Sequence, residues 1–468
     1  MSTDPRSRAV RWTGRIVVAG GLAALPVLAL RRVSDPSPWL HLKVGRFLLD
    51  GHRFTLPDPW APFAGHEYVP TQWLPSLMSA GLYERFGTAV IAWERSAGIA
   101  LLALALLLWS SSLARTWIAV STTGLVMFCA WPSLTERPQL AGFLLLIPVL
   151  AAWWRTGLDH RPRWWLVPVT WLAASTHGIW ATAAGIGAIV TLSLVASRSL
   201  TKAEALRLFG LLAACAGAAA VTPLGPRLLL SPFAVSSQGR QFIQEWMPSS
   251  VRAPHVLATL LMLGLVWLCW TLRREKPPVW QLVLWLSAFV LTLSMERTVP
   301  VAAMVLLPLL GTAVESVMSA QAGAGQGARE WPAWVAAALV GIAVAAPLAT
   351  ARATVPEGLP TGLQPALEAL PADSRILIDS DTSGWVLFAA PHLRPVYDLR
   401  VEAYSPQRVE DYITVMDAEP GWDRLLAASG ASSALVPDDS PIRAALTEQS
   451  RWSEVDHDAG LVLLEAPR

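Results

Sequence analysis

About eleven stretches of roughly 20 mostly apolar residues, all ahead of residue 350, constrain this chain more than any other feature, because a helix of that length crosses a bilayer. They centre near residues 22, 100, 123, 146, 170, 187, 214, 263, 286, 306 and 340. A chain that is 53% hydrophobic and 15% charged, with a mean hydropathy of +0.43 over 468 residues, carries more apolar surface than a water-soluble core can hide. A polytopic α-helical membrane protein is therefore predicted, and soluble enzymes, nucleic-acid binders and redox proteins are set aside. Arg6, Arg8 and Arg11 ahead of the first apolar run imitate a signal peptide. Arg31 and Arg32 follow that run without a small-residue cleavage pattern, so it reads as an uncleaved helix.

The net charge of +2 says little, but the placement of charge says more. Basic residues collect in cytoplasmic loops, and with the N-terminus inside, alternate loops carry Arg115; Arg155, Arg161 and Arg163; Arg198, Lys202 and Arg207; and Arg273, Arg274 and Lys276. Eleven crossings then place the loops around 31–87, 131–139, 222–255 and 294–298, together with the tail after 350, outside a cell membrane. The three cysteines, Cys129, Cys215 and Cys269, all lie in apolar helices, which predicts neither a disulfide framework nor a cysteine metal site.

The outside segments are richer than connectors. Residues 34–63 concentrate acids, histidines, tryptophans and prolines directly after the first helix. Apolar positions at 40, 44, 47 and 48, with His41, Lys43 and Arg46 elsewhere, predict a helix lying on the membrane surface over 39–49, with Ser37 and Pro38 as its start signal. A second surface helix is predicted over about 71–86, and a third apolar-polar stretch at 226–246. Trp39, Trp60, Trp73 and Trp246 suit interface anchors. The predicted organisation is a transmembrane core over 1–318 with the external loop 31–87, a small-residue linker over 319–330 and a last spanning helix over 331–350. A small C-terminal α/β extracytoplasmic domain follows over 352–468. In it, 375–379, 394–398 and 460–466 read as strands, and 406–418, 421–429 and 440–449 as helices. No glycine-rich phosphate loop follows any of these strands.

These residues also carry a resemblance. Asp35, Pro36, Trp39, His41, Gly45, Asp58, Pro59, Trp73 and Leu74 in the first loop, the Arg137-Pro138-Gln139 step, His177-Gly178, Glu245-Trp246, Glu296-Arg297 and the tail pattern Asp398, Arg400, Tyr404 resemble, in order, bacterial members of the GT-C superfamily. These are multi-spanning glycosyltransferases that use lipid-phosphate-linked sugars; the likeness extends more loosely to mannosyltransferase-like and arabinosyltransferase-like members. The resemblance implies a GT-C-like fold of about eleven spans and transfer of a sugar from a polyprenyl-phosphate donor to a glycan, lipid or protein acceptor outside the cytoplasm. The chain departs from the pattern at Thr71 and Gln72, where many members have a His-Glu pair.

Such a transfer needs a base for the acceptor hydroxyl and cations for the departing phosphate. Asp35 is the candidate base and Asp58 the alternative. Arg137 and Arg297 are candidate phosphate binders, since arginine presents a planar fork of donors. His41, Arg95, Gln139, His177 and Glu245 complete the candidate substrate-binding set. Metal use stays open, with Asp35 and Asp58 as carboxylates able to share a divalent ion. Each has a structural competitor: Asp35 and Asp58 as turn residues, the arginines as lipid-headgroup contacts, and Arg95, one residue after Glu94 in a spanning helix, as a charge facing a polar interior. Two other classes remain beside the enzyme: a non-catalytic, GT-C-derived scaffold or lipid-binding protein, and a transporter or lipid flippase.

Overall fold

The computed structural model describes residues 5–231, 242, 244–273, 276–319 and 331–467. Each of the eleven apolar centres falls inside an α-helix. Six helices are long and apolar enough to cross a membrane: Thr88–Ser111, Gln139–Asp159, Lys202–Ala220, Pro254–Arg273, Glu296–Met318 and Trp331–Arg352. The apolar parts of the other five are shorter, down to Leu166–Thr176, whose 11 residues make about 17 Å of helix against a hydrocarbon core of about 30 Å. The linker over 320–330 and most of the stretch at 226–246 lie outside the described residues, although Gln244–Trp246 forms a short 3-10 turn.

The described residues divide into two compact units. One holds those of Met1–Arg31, Ala92–Pro232 and Ile243–Arg352; the other holds those of Arg32–Ile91, Phe233–Phe242 and Ala353–Arg468. This differs from the expected organisation, in which loop 31–87 belonged to the core over 1–318. The loop's buried side chains are satisfied by the tail, and hydrophobic periodicity along the chain cannot report so distant a partner.

In the first unit the helices meet over a core that includes Ile99, Leu106, Phe143, Trp153, Leu211, Met262 and Met304. Thr88–Ser111 is an inner helix, while Lys202–Ala220 and Trp331–Arg352 leave most of their apolar surface outward, as lipid-facing helices do. The first helix, Pro5–Ala29, pairs with the last, Trp331–Arg352. A Cβ on Gly341 would stand 2.1 Å from the carbonyl oxygen of Ala23, so the two backbones touch only because that position lacks a side chain.

The second unit is built on a five-stranded sheet in the order β2-β1-β3-β5-β4, with β1 at Arg375–Ile378, β2 at Arg394–Pro395, β3 at Ser433–Pro437, β4 at Ser453–Asp458 and β5 at Leu461–Glu465. β1 runs parallel to β2 and β3, and β5 is antiparallel to β3 and β4. β1, β3 and β5 are buried apolar runs; β4 is the exposed polar edge. The helices Pro406–Met416, Trp422–Ser429 and Pro441–Glu448 match the expected ones, whereas Ser380–Ala389, β3 and β4 were not foreseen.

The first loop folds as the helices Ser37–Leu49 and Trp73–Phe86. They are not merely laid on a surface. Trp39, Leu40, Leu42 and Val44 are buried, and the first of the two helices packs on the second and on Ser380–Ala389. A Cβ at Gly45 would lie 2.0 Å from the Ser76 carbonyl oxygen, which accounts for glycine at that crossing. The expected cap is also corrected. Ser37 is the first residue of the helix, with Pro36 as the N-cap, and Asp35 Oδ1 accepts the Ser37 backbone N–H at 2.9 Å, the two-residue reach of an Asx turn.

Candidate functional site

In the first unit, the loops of one alternate set gather at one end of the helices. Arg137 Nη1 donates to Glu245 Oε1 at 2.6 Å, and Arg297 Nη1 lies 3.7 Å from Glu245 Oε2. Arg297 Nη2 is 3.2 Å from His177 Nε2, and its guanidinium carbon stands 5.3 Å from the Trp246 ring centre. His177 Nδ1 in turn faces the Ile179 N–H at 3.2 Å. A neutral imidazole accepts at only one nitrogen, so one of these two donors holds the ring at a time. Beside them, His255 Nε2 lies 2.6 Å from Glu296 Oε1, and the Glu296 N–H donates to the Met247 carbonyl. Arg137, His177, Glu245 and Arg297, four of the expected site residues from four separate segments, are thus brought together.

The local backbone explains this convergence. His177 breaks the helix after Thr176 with an extended conformation, and Met295 does the same after Ser294, so each helix ends by turning its next polar residue back over the bundle end. Pro138 stops the preceding turn and starts Gln139–Asp159, which leaves Arg137 in the loop. Gly142, one turn into that helix, gives the His177 side chain its space: a Cβ there would be 3.0 Å from His177 Cβ. Gln139 is 3% exposed, and its Nε2 has no hydrogen-bond partner among the described residues.

Arg95 has a different neighbourhood. Nε donates to the Leu134 carbonyl at 2.8 Å and Nη1 to the Ala29 carbonyl at 2.6 Å, while Nε stands 3.7 Å from the fully buried Glu136 carboxylate. Arg31 contacts the same carboxylate at 3.3 Å. Arg95 therefore ties the end of the first helix to the 131–138 loop and acts as a positioning residue for the loop that carries Arg137. Sequence reasoning missed Glu136 and His255, although each stands in a loop it had assigned to this end. The other alternate loops hold together separately: Arg115 donates to Glu315 from Nη2 at 2.8 Å and from its backbone N–H at 2.9 Å.

The remaining expected residues belong to the second unit. His41 Nδ1 lies 3.1 Å from Ser76 Oγ, which itself donates to the Gln72 carbonyl. Gln72 and Thr71 occupy the turn before Trp73–Phe86. Asp35 is 7% exposed and supports the helix start described above.

Asp58 makes turn and ion-pair contacts. Its Oδ1 accepts the N–H groups of Trp60 and Ala61, each at 2.9 Å, and Arg400 closes a fork on both oxygens at 2.9 and 3.1 Å. Arg400 forks equally onto Asp398, at 2.7 Å for the shortest contact, and all three side chains are at most 1% exposed. The rings of Trp60 and Tyr68 flank the guanidinium at 4.9 and 5.1 Å. Burial alone would lower the Arg400 pKa, but the Asp398 charge and the hydrogen bonds that Arg400 donates to both acids outweigh it and hold the group charged. Burial pushes the Tyr404 hydroxyl well up, and the nearby Asp398 charge adds to this. The Asp58-Pro59 step and the Asp398-Arg400-Tyr404 pattern are thus one buried cluster. Asp58 Oδ1 accepts three of these hydrogen bonds and Oδ2 one, and no group of three or more His, Cys, Asp or Glu gathers among the described residues.

No protein-family model and no curated protein sequence matches the chain. Solved structures do. The oligosaccharyltransferase AglB of Archaeoglobus fulgidus, in complex with an inhibitory peptide and a dolichol-phosphate, superposes at a TM-score of 0.55 and 12% identity over 93% of this chain and 70% of its own. ArnT of Cupriavidus metallidurans bound to undecaprenyl phosphate superposes at 0.50 and 15% identity over 98% of both chains. The mycobacterial arabinofuranosyltransferase AftD superposes at 0.57 and 14% identity over 97% of this chain and 41% of its own. The chain has the GT-C-like fold that its motifs implied.

Proposed function

We propose that the protein is a membrane glycosyltransferase that moves a sugar from a polyprenyl-phosphate donor to an acceptor in the cell envelope. In this reading all eleven apolar helices cross a bacterial cell membrane, the N-terminus is cytoplasmic, and the unit carrying the sheet is extracytoplasmic. The observation that carries it is the Arg137–Glu245–Arg297–His177 group: two guanidiniums from distant segments spaced around one anion at a bundle end, in a fold shared with proteins whose structures hold dolichol-phosphate and undecaprenyl phosphate.

In the reaction, the bond between the anomeric carbon and the phosphate oxygen breaks, and the phosphate leaves with the electron pair. Arg137 and Arg297 take up the charge that develops on it. The acceptor oxygen forms the new bond to the anomeric carbon and gives its proton to the Asp35 carboxylate. Gln139, with an unbonded buried amide nitrogen, is a further donor suited to a polar headgroup. The base and the phosphate group belong to different units and are tested separately.

The purified full chain, given labelled polyprenyl-phosphate sugars and envelope acceptors, is expected to transfer sugar, and Asp35→Asn to lose transfer while still binding the lipid. Transfer by Asp35→Asn at the wild-type rate removes Asp35 as base. Thr71 and Gln72, in place of an acid and an imidazole, favour a second reading as a lipid-binding scaffold without turnover. Lipid binding without transfer from any donor decides for that one.

A further inference from the structure

We infer that Glu245 is a built-in stand-in for the lipid phosphate that transfer releases from the donor: its carboxylate keeps Arg137 and Arg297 close to one anion and gives way to that phosphate monoester. The inference rests on the reading of that arginine pair as the phosphate site.

Two arginines repel each other, so a pair drawn to one point needs an anion between them. Here they face different oxygens of one carboxylate: Arg137 bonds Oε1 at 2.6 Å, and Arg297 stands 3.7 Å from Oε2, an ion-pair distance beyond a hydrogen bond. A phosphate monoester presents the same pair of oxygens with a third beside them and up to twice the charge, so it can replace the carboxylate without moving either guanidinium. The displaced group has somewhere to go. The Glu245 side chain is 40% exposed, so leaving the pair returns it to water and not to a buried, unpaired state. The arginines have reasons to stay, because Arg297 is braced by His177 and by the Trp246 ring. Of the other acids described at this end, Glu296 contacts His255, and Glu136 contacts Arg31 and Arg95. A cation pair guarded in this way keeps its geometry between turnovers and is shielded from stray anions. Its affinity for phosphate is reduced by the fraction of time the carboxylate is in place.

The test uses the full chain in lipid nanodiscs, with undecaprenyl phosphate as the probe and inorganic phosphate as its competitor. Glu245→Gln, which keeps the shape and loses the charge, is expected to bind the lipid about tenfold more tightly than wild type, a size usual for coupling between two groups at one site. Arg137→Ala with Arg297→Ala is expected to bind weakly whether or not Glu245→Gln is added. Glu245→Asp, too short to bridge both arginines, is expected to shift binding the same way by less, and thermal unfolding of each variant shows that it is folded. Unchanged or weaker lipid binding in folded Glu245→Gln and Glu245→Asp, with binding still dependent on the arginines, overturns the stand-in and leaves the phosphate reading intact. Binding that ignores loss of both arginines overturns the phosphate reading itself. Competition by inorganic phosphate, stronger in Glu245→Gln, identifies the phosphoryl group as the displacing agent. Tightening for the lipid without any competition assigns the gain to its chain and overturns the exchange.

Discussion

Arg400 and Arg297 meet carboxylates in opposite settings. Arg400 lies between Asp58 and Asp398 with all three side chains at most 1% exposed, while Arg297 shares a 40% exposed Glu245 with Arg137. The sealed group has two acids for one base, every close contact is a fork, and aromatic rings close it from the side. Its ions cannot separate without leaving a charge stranded in a low dielectric. In the open group, among the described residues, Arg137 and Arg297 share one carboxylate, and that acid can return to water. The same side-chain chemistry therefore serves cohesion in one unit and is available for binding in the other. Burial and the ratio of acids to bases decide which.

The contrast can be broken from either side. Arg400→Ala strands two buried carboxylates and is expected to destabilise the second unit by about 3 to 5 kcal/mol, read as accelerated amide exchange across β1 and the Ser37–Leu49 helix. A loss under 1 kcal/mol would show that the sealed cluster does not hold the unit together. Replacing Arg137 and Arg297 together by alanine is expected to leave unfolding unchanged within about 0.5 kcal/mol while lowering transfer about 100-fold; a large stability loss with normal transfer would invert the comparison. Gly45→Ala pushes a methyl onto the Ser76 carbonyl and is expected to cost about 1 to 3 kcal/mol in thermal unfolding of the second unit, without altering lipid binding at the first.

The smallest effect concerns pH. Burial, followed by the nearby charges of Arg394 and Arg46, lowers the Lys43 ammonium from its usual 10.5 to about 8. Between those values the unfolded chain binds more protons than the folded one, so stability rises as pH climbs from about 8 towards 10.5. Lys43→Met is expected to remove this rise, and a slope that survives the substitution would assign it elsewhere.

Much of the first unit was legible because burial in a bilayer leaves long apolar runs, and each predicted centre falls in a helix. The alternation of loops was legible too: Arg137, Glu245 and Arg297 were assigned to one end and do meet there, joined by His177. The second unit was harder to read. β4, with the sequence SEVDHD, is an exposed edge without an apolar face, so neither alternation nor hydrophobicity marks it. The Asp58-Pro59 step and the Asp398-Arg400-Tyr404 pattern were each visible, but their mutual ion pair joins positions 342 apart, which spacing along a chain cannot reveal. Asp58 therefore looked as eligible for chemistry as Asp35. Glu136 was passed over for a related reason: its partners, Arg31 and Arg95, lie in other segments.

The close crossing of Ala23 with Gly341 sets a clock on assembly. The ribosome completes the first helix more than three hundred positions before it makes the last, a wait of roughly 15 to 60 s at 5–20 residues per second. During that interval the first helix has no Gly341 backbone to pack against, and a chain cut short before residue 331 never supplies one.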